Sequence, residues 1–140
     1  MRRSTHQHHS YIVFNSLLYS MKTTKILYRV STILLALFIL PGIFFFNSPM
    51  AIEWIQHLWL PEWFRREASI GTFIGGLILI LPVRPRLKER AYVALGITYI
   101  SALIAHLWVD GVTLMSFTPV VTFVILLVSY ITYHKIYVKK

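Results

Sequence analysis

Between Arg90 and Asp110 the chain runs 19 residues, Ala91 to Val109, without a formal charge. As a helix rising about 1.5 Å per residue, that stretch covers roughly 30 Å, the thickness of a bilayer's hydrocarbon core. Just before it, Arg84, Arg86, Lys88, Glu89 and Arg90 crowd into seven residues. A basic flank, an apolar run of spanning length and an acidic far end describe a transmembrane helix. The whole chain agrees: 56% of residues are hydrophobic and 14% charged, against about 25% charged in soluble domains. The net charge of +9 comes from short basic clusters between apolar runs. That is the pattern of membrane flanks rather than of a phosphate-tracking groove, so the expected partner is the lipid bilayer and not nucleic acid. The absence of cysteine excludes disulfides and thiolate metal sites within this chain.

Three further spans are predicted. The first covers about 26–46, with Pro41-Gly42 expected to kink or loosen its last turns. The second covers about 62–81 and is short, because its uncharged part is only the 14 residues from Ala68 to Leu81. The third is the 90–109 stretch, and the fourth covers about 119–137, opened by Thr118-Pro119 as cap and first residue. Between the first two, Ser48-Pro49 starts a helix to about residue 60 that is too short to span. Glu53, Gln56 and His57 form its polar stripe and apolar residues cover the rest, as in a helix lying at the interface. The fold class is thus all-α, an integral membrane four-helix bundle with a short interfacial helix.

Helix packing is expected where small residues line up. Gly71 and Gly75 form a GxxxG on the second span, and Ala94, Thr98, Ser101 and Ala105 make a stripe on the third. Residues 1–20 fit this plan poorly. They imitate a signal peptide but lack a small-x-small cleavage site. They read as a disordered or non-native extension carrying His6, His8 and His9, with translation expected to begin at Met21 and a single membrane domain over 21–140.

Counting Lys and Arg sets the orientation. Twelve lie in the N-terminal flank, the 82–90 loop and the C-terminal tail, and two in the remaining connections. The positive-inside rule then places both termini in the cytoplasm. On the opposite side gather Glu53, His57, Glu62, Glu67, His106 and Asp110, with Glu53/His57 and His106/Asp110 each four residues apart on a helix. Tyr92, Tyr99 and His106 repeat every seven residues toward the same end. Three readings of this cluster stand. It ties the interfacial helix to the span ends, or it binds a quinone or similar apolar ligand with His57 or His106 donating to a carbonyl. The third is a metal held by the histidines and carboxylates, although no HxxxH or HExxH spacing is present.

Several blocks carry a family resemblance: Lys25-Ile26-Leu27-Tyr28, Leu34 to Phe38, Pro61-Glu62, Pro82, Arg86-Leu87-Lys88-Glu89-Arg90-Ala91-Tyr92 and His106-Leu107. In order and spacing they resemble the DoxX-like family over about 25–135. The resemblance implies a four-helix bacterial inner-membrane protein, broadly similar to DoxX and to the DoxD subunit associated with thiosulfate oxidation coupled to quinone. It therefore points to an accessory component of a quinone-linked redox system with a redox or membrane-protein partner, a quinone being the cofactor class implied. The alternative is a structural or assembly partner with no catalytic activity. One departure stands out. Relatives often carry a Lys and an acid near the positions of Thr72 and Thr98, so two hydroxyls replace an intramembrane ion pair here.

Overall fold

The computed structural model describes residues 3–138; the side chains of 3–9, including His6, His8 and His9, lie outside the described residues. The long first helix, α1, runs Arg3–Ile39, and Pro41 then breaks it before a single turn, α2, at Gly42–Phe45. After it come α3 (Pro49–His57), α4 (Glu62–Ile80), α5 (Pro85–Val109) and α6 (Phe117–Tyr133), which passes into a π-helical turn at His134–Val138. Among the described residues there is no strand. Contacts link α1 to α6, α6 to α5, α5 to α4 and α4 back to α1, so four helices close a ring. Three stretches, Ser10–Phe45, Pro85–Val109 and Leu114–Val138, are long and apolar enough to cross a membrane. The fourth member, α4, carries Arg65, Arg66 and Glu67 in its first two turns.

Several boundaries differ from the sequence expectation for physical reasons. Helix α1 does not begin near residue 26 but continues back to Arg3, because nothing between Ser4 and Ile26 breaks a helix. Its residues 10–23 are exposed throughout, and the first partly buried side chain is Thr24. Helix α5 starts at Pro85 rather than 90, since a proline at the first position suits a helix start. Helix α6 starts at Phe117, led in by a 3-10 turn at Leu114–Ser116, so the expected Thr118 cap is not used. Ser116 is buried instead, and its hydroxyl donates to the Gly111 carbonyl at 2.7 Å.

The core lies toward one end of the bundle. Leu35 and Ile39 of α1, Leu79 of α4, Ala91, Tyr92 and Leu95 of α5, and Leu126 and Tyr133 of α6 are its buried apolar members. At its centre Ser129, fully buried, sits 2.9 Å from the Thr32 hydroxyl and 2.8 Å from the Tyr92 hydroxyl. Three helices thereby meet at one polar point, which is the kind of bond that joins helices where water is absent. Below it, buried Lys88 donates to the Leu79 carbonyl at 3.0 Å and to the Tyr28 hydroxyl at 3.3 Å, and lies 5.9 Å from the centre of the Tyr133 ring. His134 Nε2 approaches Glu89 Oε1 at 3.4 Å without hydrogen-bond geometry. The basic 82–90 flank is thus partly folded inward.

Glycine contributes at two places. A Cβ on Gly75 would meet Leu95 at 3.0 Å, and one on Gly76 would meet Ile39 at 3.0 Å. Gly71, by contrast, has nothing within 4 Å. The close approach of α4 to its neighbours therefore centres on Gly75-Gly76. Beyond Gly96, α5 has no buried side chain up to Val109, so the ring packs loosely toward the α3 end.

Candidate functional site

The loosely packed end is covered by α3, and local sequence fixes where α3 sits. Ser48 is extended and its hydroxyl accepts from the Ala51 amide at 3.2 Å, while Pro49 takes the first helical position. At the other end Trp59 adopts φ +57, a left-handed conformation usually given to glycine. The Leu60 amide there bonds back to the Ile55 carbonyl at 3.0 Å, and the helix stops. Arg65 of α4 secures the approach to α3. Only 4% exposed, it donates to the Phe46 carbonyl and, at 3.2 Å, to Asn47 Oδ1. Its guanidinium also lies 5.8 Å from the Phe46 ring centre. Its Nε has no partner. No carboxylate neutralises it: Glu62 pairs with Arg66 at 3.7 Å, and the described ion pairs include none to Arg65.

Between α3, α4 and α5 lies a cavity of about 670 Å³. Phe46, Trp54 and Phe64 give it an aromatic wall, Thr98, Ser101 and Ala105 of α5 a small-residue wall, and Arg65 and His106 are its titratable members. The stripe expected to be a packing seam therefore lines a space. Thr98 and Thr72 satisfy their hydroxyls within their own helices, Thr98 to the Ala94 carbonyl at 3.0 Å and Thr72 to the Ala68 carbonyl at 2.7 Å. Neither bonds across helices.

Beside the cavity, a more open vestibule of about 550 Å³ is lined by Glu53, Trp54, His57, Asp110, Thr113 and Met115. His57 and His106 thus line different spaces, with Trp54 common to both. Asp110 connects the two histidines: Oδ1 bonds to His57 Nε2, and Oδ2 lies 3.0 Å from His106 Nδ1. The first bond ties α3 to the end of α5, across 53 residues of chain, and the second holds His106 against the cap of its own helix. The Trp54 ring stands edge-on to both imidazoles, at 6.3 Å from His57 and 6.1 Å from His106. Glu53 does not bond to His57, which turns to Asp110 instead. Tyr99 packs against the apolar core and lines neither space. Among the described residues no group of three or more His, Cys, Asp or Glu is arranged to hold a metal ion.

Hydrogen bonds from His57, and next from His106, hold the Asp110 carboxyl below the ordinary carboxylate range. The sign follows from linkage. A folded value below the unfolded one means that the stabilisation is complete above about pH 4 and fades as pH falls through the depressed value. Exchange protection of α3 amides, corrected for intrinsic rates, should therefore keep the Asp110 contribution as acid is added down to about pH 4. It should collapse only in stronger acid, whereas Asp110→Asn should lower it across the whole range.

Arg65 and Trp54 gain roles that sequence reasoning had not fixed. For Arg65, the signal was a second span whose uncharged part is too short unless one charge turns inward. Trp54, one of the apolar residues of the short interfacial helix, lies three residues before His57 and so shares its helix face.

No curated protein and no solved structure matches the chain. The model of the DoxX-like family, however, matches residues 30–129. That interval takes in the packed part of α1, the cavity, the vestibule and the Ser129 junction. The chain belongs to the DoxX-like family of membrane proteins.

Proposed function

We propose that this DoxX-like protein is an accessory component of a quinone-linked redox system in the bacterial inner membrane. Both termini lie on the cytoplasmic side in this reading, as the distribution of Lys and Arg requires. The ligand is a quinone-type ring seated in the cavity between α3, α4 and α5. One observation carries the reading: a mainly apolar space of about 670 Å³ has two titratable side chains in its wall, Arg65 and His106, on two different helices. Ligand sites have this makeup, with apolar cover and a few donors that fix orientation. A quinone-type ring presents two oxygens on opposite sides of a flat ring, which suits aromatic walls and two separated polar groups. His57 and Asp110 then serve as support, holding α3 over the cavity and His106 in place.

Purification in mild detergent followed by extraction of lipid-soluble molecules tests this directly. Quinone should co-purify at near-stoichiometric levels and fall at least about tenfold in His106→Ala, a loss of about 1.4 kcal/mol or more in binding. His57→Ala should reduce it less. Absence of quinone from the native protein would refute the reading.

A second reading, an assembly partner without small-molecule chemistry, is favoured by the outer part of α1. Tyr11, Phe14, Leu17 and Tyr19 are 59–77% exposed. A protein that co-purifies with the whole chain, and is lost when residues 1–20 are removed, would favour it.

A further inference from the structure

Asp110, ionised and accepting on both oxygens, fixes the protons of its neighbours. A carboxylate cannot donate, so His57 must present Nε2–H and His106 must present Nδ1–H. In neutral His106 the bare nitrogen is then Nε2, and His106 is a wall residue of the cavity. On α4, the same cavity is bordered by a buried cation with an unpartnered Nε and no carboxylate counter-charge. An orphaned buried charge is strongly unfavourable, so the cavity is electrostatically incomplete as it stands. Glu53 and His57 of α3 face the vestibule rather than the cavity, leaving Arg65 and His106 as the titratable groups of its wall.

We infer that the cavity binds an acidic aromatic hydroxyl and holds it as the oxyanion. This deepens the quinone reading and rests on it, since the hydroxyl form of such a ring is its reduced form. The step is a simple acid–base transfer. The ligand O–H bond breaks, its electron pair stays on oxygen, and the proton forms an N–H bond at His106 Nε2. Asp110, as a positioning residue, stabilises the resulting imidazolium through Nδ1–H. Arg65, a wall residue with no carboxylate partner among the described ion pairs, supplies the positive charge beside the new anion. The site should accordingly favour the hydroxyl form of a ring over its carbonyl form.

An alkyl-substituted 4-nitrophenol tests the assignment, because its anion and neutral forms differ in visible absorption. With the full-length protein in neutral detergent, the bound probe should ionise at a pH lower than in protein-free micelles by at least about one unit, a tenfold change in the anion-to-neutral ratio. Arg65→Gln and His106→Gln should each abolish most of that shift. Arg65→Lys, which keeps the charge, should retain a substantial part of it and guards against a variant that merely misfolds. The matching nitroanisole, with no proton to give, should compete at least tenfold more weakly. If the probe binds and is displaced by a quinone but stays neutral, the oxyanion assignment is overturned while the ligand site stands. If the native protein takes up neither probe nor quinone, both fall together.

Discussion

Gly75→Leu is expected to prevent recovery of a monodisperse protein. Even a single Cβ at this position meets Leu95 Cγ and Cδ2 at 3.0 Å, closer than ordinary van der Waals contact. Leucine adds three more carbons behind that Cβ, in a place where Leu95 is itself only 1% exposed and has nowhere to go. Overpacking of this kind costs about 1–3 kcal/mol when neighbours relax, and more when the obstruction lies between two helix backbones. In lipid there is no water to drive α4 and α5 together, so contact at close range is most of what joins them. Size-exclusion profiles and thermal melts in detergent would report the loss. Gly71→Leu, with nothing within 4 Å of its Cβ, should behave as the native protein does.

The second large effect is expected at Ser129. Replacement by leucine removes the hydroxyl that joins Thr32 and Tyr92, and places a larger side chain where exposure is 0%. Two polar groups lose a partner, at about 1–3 kcal/mol for each one left buried and unpaired. Overpacking adds to that. Ser129→Ala separates the contributions: it keeps the volume small and should lose about 1–3 kcal/mol, from the hydroxyl alone. Reversible unfolding in mixed micelles, read by circular dichroism, distinguishes the two variants. Equal stability of Ser129→Ala and the native protein would show that the three-helix junction contributes nothing.

Much of the architecture was legible because bilayer thickness and charge placement leave few alternatives. The uncharged run before Asp110, the Ser48-Pro49 start of α3 and the break at Pro41 each carry a local physical cause visible in the residues themselves. What sequence could not supply was the partner of each face. Gly71 and Gly75 lie on one helix stripe, yet a Cβ would meet Leu95 at Gly75 and nothing within 4 Å at Gly71. Thr98, Ser101 and Ala105 look like a seam by spacing, but small residues close a gap only if something approaches, and here they border a cavity. The pairing of His57 with Asp110 spans 53 positions and no periodicity encodes it. Lys88 reads in the sequence as part of an ordinary basic flank, whereas the Tyr28 hydroxyl, the Leu79 carbonyl and the Tyr133 ring that surround it come from three other helices.

The uneven packing of the bundle has a mechanical consequence. The tyrosine-rich end is locked by buried side chains from α1, α4, α5 and α6, while α3 is held by one imidazole–carboxylate bond to Asp110 and by Arg65 at its entry. Such a body opens like a clothes-peg, with its spring at the Ser129 end and its jaws at α3. Opening the cavity then asks only for a swing of α3, and the four long rods need not slide against one another.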